Sequence, residues 1–196
     1  MSRKIRRIPY HLDAKDVTEL SSEEIAAILR GADDLIMTGG RSLLTKILKG
    51  ARDKKLLSLG LDDSPVYGYY NQLTLANIQA RVDWVILNRY LEIEYDWSLP
   101  LLRYTQEGWE IERETYAKEL LAGFDALLAT GQTQYDMTYL KDRARDMILI
   151  LLDMVEASGD PRYIPILEAW AEVDYKKVKK RIGEVIEHIR QNEGHT

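Results

Sequence analysis

Four long cations fall within seven residues, Lys49, Arg52, Lys54 and Lys55, with Asp53 the single acid among them. Cations at this density suit an extended polyanion, because each phosphate they neutralise releases condensed counterions. The same run could also form a solvated basic loop. A second group, Arg3, Lys4, Arg6 and Arg7, precedes Pro9, which keeps the chain extended. Such an arm either tracks a phosphate backbone or frays as a terminus. Arg41 follows Gly39-Gly40, a pair that either leaves helix-start N–H groups free for a phosphate or makes a tight corner. The aromatic candidates are Trp84 and Trp97. Trp84 shares a helical stripe with Asn77, Arg81 and Asn88, spaced 4, 3 and 4, from which a helix could read base edges unless the wing or arm covers it. Trp97 stands beside Leu99 at a turn, where its ring could stack on a base. Covalent chemistry has no such candidates. There is no Gly-x-x-x-x-Gly-Lys-Ser/Thr loop, no Asp-Glu motor box, and no nucleophile set beside a histidine. The expectation is a non-enzymatic protein without a cofactor.

The elements that must hold these residues are legible from caps and periodicity. Ser21 with Glu24 is a capping box, opening a helix with apolar residues at Ile25, Ile28, Leu29, Ala32, Leu35 and Ile36. A short helix, Leu43 to Leu48, stops at Gly50, and Ser64-Pro65 sets a rigid turn. Thr74 caps a helix with Ile78, Val82, Val85 and Ile86 on one face, ending near Tyr90. Leu91 to Asp96 alternates strictly, as a half-buried strand does. Trp97-Ser98-Leu99-Pro100 is expected to make the turn and Leu101 to Tyr104 the return strand, with Thr105 capping a further helix. The class is mainly α: a helix-turn-helix with a two-stranded β-wing, that is, a winged helix.

At this point the sequence resembles a known family, the RQC domain, the winged helix that follows the motor of RecQ DNA helicases. The words that carry the likeness are Ile47-Leu48-Lys49-Gly50, Leu59-Gly60-Leu61-Asp62, Pro65-Val66-Tyr67-Gly68, Tyr90-Leu91 and Leu102-Arg103-Tyr104-Thr105-Gln106-Glu107-Gly108, in that order, across roughly Leu29 to Leu121. It is also similar to stand-alone RQC-type proteins without a motor. The resemblance implies DNA binding by loops and wing more than by the helix from Thr74, with a wedge at the wing tip, here Trp97 with Leu99. Two departures stand out. Glu92, Glu94 and Asp96 make the wing flank acidic, and Asn71 stands where related domains often carry a lysine, behind Tyr69 and Tyr70, which either stack on bases or pack the turn.

The remaining bounds are compositional. The chain has 196 residues, 45% of them apolar, enough for one substantial core and a second small one. With no cysteine it can form neither a disulfide nor a thiolate zinc site, and its three histidines are scattered. No apolar run is long enough to span a membrane, so no membrane partner is expected and the cytoplasm is the expected location. The net charge of −5 is segregated: residues 1–60 carry +4, residues 61–130 carry −7 and residues 131–196 carry −2. The expected organisation is a basic arm over 1–22, an RQC-like winged helix over 23–130 and a helical domain over 131–196. The last should hold helices from about Asp136 to Ala157, Pro161 to Val173 and Asp174 to Arg190, with Ser158-Gly159-Asp160-Pro161 as a stop and restart. The last two resemble a single HEAT-type repeat. One such unit cannot bury its face alone, so it should pack on the helix before it. Lys176, Lys177, Lys179, Lys180 and Arg181 form a further basic cluster, read as a solvated face or a second phosphate patch.

Two functions from different classes follow. The first is structure-directed binding of duplex DNA or duplex ends in replication or repair, through the arm, Arg41, the Lys49–Lys55 loop, Arg81, Trp84 and Trp97. The second is an adaptor that docks a helicase or other repair protein through the acidic wing and helical tail.

Overall fold

The computed structural model of the chain describes residues 6–193; Arg3, Lys4 and His195 lie outside the described residues. The fold is mainly helical with one two-stranded sheet, the architecture of a winged helix. It divides into two compact units, the first ending at Glu112 and the second beginning at Arg113.

In the first unit the capping box forms as its sequence requires: Glu24 N–H donates to Ser21 Oγ at 3.2 Å, and Ser21 N–H to Glu24 Oε2 at 3.0 Å. It opens α1, Ser22–Ala32. The helix stops short of Ile36. A 3-10 turn, Asp33–Leu35, intervenes, and Ile36 makes a parallel bridge to Leu102. Met37 N–H donates to Leu102 O, and Leu102 N–H donates to Gly39 O, both at 2.9 Å. Pairing with the wing thus overrides the apolar periodicity that extends to Ile36.

Helix α2, Arg41–Lys49, ends at Gly50 with φ 71°. That glycine is required twice, since a Cβ there would also stand 3.0 Å from Gly68 Cα. Helix α3, Lys54–Ser58, is capped by Asp53, and α4, Leu75–Leu87, by Thr74. Strands β1, Leu91–Asp96, and β2, Leu99–Tyr104, pair antiparallel with Leu91 opposite Tyr104 and Asp96 opposite Leu99. The turn is therefore two residues, Trp97 and Ser98, rather than the four expected. Pro100 lies inside β2, near the strand start where proline is tolerated. Ile28, Leu29, Leu44, Ile47, Val82 and Leu102 are fully buried where the helices and wing meet.

Helix α5, Gln106–Ala129, starts with Gly108 N–H on Thr105 Oγ1 at 3.1 Å. A Cβ on Gly108 would sit 1.9 Å from Tyr90 O, so the helix start can approach the wing only with glycine there. The boundary between units falls inside α5, where Tyr116, Ala117, Leu120 and Phe124 are buried in the second core with Leu151, Ile166, Trp170 and Ile182.

In the second unit the helix expected from Asp136 begins only at Arg145. Asp136 Oδ1 accepts from Thr138 N–H and Thr138 Oγ1, at 3.0 and 2.6 Å, and turns the chain into a 3-10 helix, Thr138–Leu140. Such local side-chain bonds compete with helix formation. Helix α6 is Arg145–Ser158; Gly159 stops it and Asp160 restarts the chain, as the sequence signals. Helices α7, Ile164–Val173, and α8, Lys176–Glu193, follow, and α8 packs on both α6 and α7. Buried Trp170 donates its Nε1–H to Asp174 Oδ2 at 2.7 Å.

Candidate nucleic-acid interface

The wing tip is built by its own backbone. Trp97 has φ 53°, a left-handed conformation that a two-residue hairpin turn demands and that costs a non-glycine residue on the order of 1–2 kcal/mol. The residue is 75% exposed, the most of any large hydrophobic among the described residues, with Leu99 beside it at 50%.

The N-terminal arm docks along this wing. Ile8 N–H donates to Ser98 O at 2.9 Å, and Tyr95 Oη donates to Ile8 O at 2.6 Å. The Arg7 guanidinium lies 4.7 Å from the centre of the Tyr95 ring, and Tyr10 packs on the same ring. Arg6 and Arg7, both exposed, are thus carried to the tip, one or two residues from a backbone bond to the turn. Further along, Arg41 donates to His11 O, and Asp13 N–H donates to Asp83. The described part of the arm is thus held at Ile8 and again at His11 and Asp13.

The acidic flank is offset in part. Arg103 pairs with Glu94 at 2.6 Å and with Glu92 at 3.6 Å, so one cation serves two of the three wing acids. The hydrogen bond to Glu94 and the charge of both acids raise the guanidinium's affinity for its proton. Sequence reading missed this residue although a wing acid faces it in either register: a four-residue turn would place Arg103 opposite Glu94, and the observed two-residue turn places it opposite Glu92.

A groove of about 350 Å³ runs beside the tip, lined by Ile8, Tyr10, Gly40, Ser42, Lys55 and Leu99. It joins Lys55 to the docked arm and the start of β2. Gly40 makes the corner there, since a Cβ on it would meet Pro100 O at 2.9 Å. Arg52, Lys54 and Lys55 are exposed, and no ion pair engages them among the described residues.

Other expected site residues serve the scaffold. Arg41 bonds to Asp83 at 2.7 and 2.8 Å, where Asp83 is 2% exposed. Lys49 Nζ donates to Asn71 O and Leu73 O at 2.5 and 2.8 Å, bracing the turn before α4. Arg81 faces Glu24 at 3.5 Å and the Tyr70 ring at 5.4 Å. Burial pushes the Glu24 carboxyl up, but hydrogen bonds from the Ser21 N–H and the Tyr70 hydroxyl outweigh it and hold it below the ordinary carboxylate range. Tyr70 is accordingly buried and bonded to Glu24, packing the turn, while Tyr69 is exposed. Trp84 donates to Thr18 O at 3.3 Å and stacks on Tyr90, so the arm partly covers this residue of the α4 stripe, while Asn77 and Asn88 stay exposed. Arg6, Arg52, Lys54 and Lys55 are exposed and have no ion pair among the described residues, Trp97 is exposed at the wing tip, and Arg7 is exposed but lies over the Tyr95 ring.

Among the described residues no group of three His, Asp or Glu side chains could hold a metal ion, and no helix is long and apolar enough to cross a membrane. A family model for the RQC domain matches residues 12–121. Neither a curated protein nor a solved structure matches. RQC is a non-catalytic winged-helix domain that binds nucleic acids in RecQ helicases.

Proposed function

The chain belongs to the RQC domain family, and from that premise we propose that it binds DNA at duplex ends, with Trp97 stacked on the terminal base pair. Arg6, Arg7, Arg52, Lys54 and Lys55 hold the adjoining phosphates. The observation that carries this reading is the wing tip itself: a tryptophan 75% exposed on a left-handed turn, with Ile8, which follows Arg6 and Arg7, bonded to the turn. A turn of this kind gives the ring no strand neighbour to pack on. Arg103, shared between Glu92 and Glu94, offsets one of the three nearby acid charges, and stacking of the ring has to outweigh the repulsion that remains. Exposed charges farther than ~10 Å are screened at 0.1 M salt. Kinship with RecQ helicases supports a place in replication or repair.

Binding should be salt-dependent. About five phosphate contacts give a slope of log K against log salt near −4.5. The test is Trp97→Gly on a blunt hairpin duplex and on a closed circular duplex. Glycine relieves the left-handed turn, so the fold is kept. Stacking of a base on an aromatic is worth roughly 1–3 kcal/mol, so end binding should weaken about 5- to 150-fold while the circle is unaffected. Equal losses on both substrates would refute the wedge. Unchanged binding on both would shift the wing to a protein partner, the adaptor reading.

A further inference from the structure

The second unit holds a cationic groove of its own, outside the residues that the RQC model matches. It measures about 510 Å³ and lies between the turn that precedes α6 and the first turn of α8. Five cations line it: Lys141, Arg143, Arg145, Lys176 and Lys177. The two acids that also line it are engaged. Asp174 accepts from Trp170 Nε1 and from Tyr175 N–H at 2.6 Å, and Asp142 accepts from the Tyr175 hydroxyl at 3.1 Å.

The basic run Lys176–Arg181 is divided by its surroundings. Arg181 pairs with Glu156 and Asp153 at 2.6 and 2.7 Å, Lys180 faces Glu184 at 3.6 Å, and Lys179 donates to Glu172 O. Among the described residues none of the five groove cations has a carboxylate within ion-pair distance. The groove's five cations outnumber its two carboxylates, Asp142 and Asp174, so they repel one another and set up a net positive potential that concentrates anions. A solvated face gives no reason for that division, since acids lie on the same helices and are spent on the other half.

Within the groove Tyr175 is 57% exposed. Its hydroxyl is fixed by Asp142, and Lys141 Nζ sits 5.1 Å from its ring centre, so the ring is held in place and made to favour an electron-rich partner. A fixed aromatic ring among unpaired cations is the arrangement by which single strands are bound without sequence preference. A duplex offers no free base face to such a ring except at its ends. The groove is within the usual size for a small-ligand site.

We propose that this groove binds a single-stranded segment of nucleic acid, its phosphates on Lys141, Arg145, Lys176 and Lys177 and one base on Tyr175. The choice of a nucleic acid as the polyanion rests on the reading of the wing; the groove shares no residue with it.

The experiment is fluorescence anisotropy of a twelve-nucleotide oligothymidylate with the full chain. Four proteins are compared: unaltered, Lys176→Glu with Lys177→Glu, Tyr175→Ala, and Trp97→Gly. The lysines are exposed, so their replacement leaves the core intact. The lysine pair should lose at least tenfold, and Tyr175→Ala about 5- to 150-fold, the range for one stacked base. Trp97→Gly should bind the oligonucleotide as the unaltered chain does. Oligonucleotide binding unchanged by both groove variants overturns the proposal. A loss from the lysine pair without one from Tyr175→Ala means that any polyanion is adsorbed, and overturns the strand reading. Groove variants that fail on oligothymidylate, with Trp97→Gly unaltered on blunt ends, uphold this site and remove the wing function instead.

Discussion

Replacing Asp83 by leucine should cripple the first unit, and replacing Arg41 as well should largely rescue it. Asp83 is 2% exposed and accepts three bonds, two from Arg41 at 2.7 and 2.8 Å and one from the Asp13 N–H at 2.9 Å. Arg41 is itself mostly covered, at 16% side-chain exposure, and also donates to His11 O. Removing one partner of such a pair leaves an uncompensated charge, at a cost of about 3–5 kcal/mol. At about 4–8 °C per kcal/mol for a domain near this size, Asp83→Leu should lower the melting temperature by roughly 15 °C or more. The double variant Arg41→Met, Asp83→Leu removes both charges and should recover most of that loss. A urea melt followed by tryptophan fluorescence reads it, since Trp84, Trp97 and Trp109 lie in the first unit and only Trp170 in the second. A loss below about 1 kcal/mol in the single variant, or a double variant no better than the single, would refute the reasoning. The double variant also separates scaffold from interface. Its salt slope for DNA should equal that of the unaltered chain, and a slope shallower by about 0.9 would return Arg41 to the phosphate contacts.

Three further outcomes follow from the same geometry. Gly108→Ala places a Cβ 1.9 Å from Tyr90 O and should destabilise the first unit by about 1–3 kcal/mol or more, measured by thermal melting. Lys49→Ala, which loses two bonds to carbonyls, should reduce stability by about 1–3 kcal/mol with little effect on DNA affinity, whereas Lys54→Glu with Lys55→Glu should do the reverse in parallel melts and titrations. In the second unit, the hydrogen bond from Arg181 holds the Glu156 carboxyl below its ordinary value of 4.5 against the opposing effect of burial. A depressed folded value means that the stabilisation is complete above pH 4.5 and is lost as pH falls below it, so Glu156→Gln should flatten the acid limb of a stability-against-pH curve.

Much of the scaffold is legible in the sequence because it is local. Ser21 and Glu24, Thr74, Gly50, the alternating Leu91–Asp96 and the Ser158–Pro161 stop all specify geometry within a few residues. What sequence reading misses depends on partners far along the chain. Ile36 leaves its helix for Leu102, and Asp136 diverts the chain through Thr138 instead of opening a helix. At the site, residue type alone does not distinguish a cation that meets phosphate from one that braces a turn. Arg41, Lys49 and Arg81 find Asp83, two carbonyls and Glu24 within the fold, while Lys54 and Lys55 find nothing comparable. The docking of Ile8 and Tyr10 is hinted at by their apolar type, but the bond from Tyr95 to Ile8 is set by the wing's register. Arg103 faces a wing acid whether the turn has four residues or two, so its pairing is legible from the alternation of the two strands alone.

The central claim is that Trp97 stacks on the last base pair of a duplex. Its most direct measurement places the fluorescent adenine analogue 2-aminopurine at the terminal pair of a blunt hairpin, or at an interior pair of the same hairpin, and titrates each with protein at 0.1 M salt. Stacking at the tip predicts a saturable change in emission from the terminal probe, none from the interior probe, and loss of the terminal change in Trp97→Gly. Equal responses at both positions, or a terminal response that persists without the tryptophan ring, would contradict it.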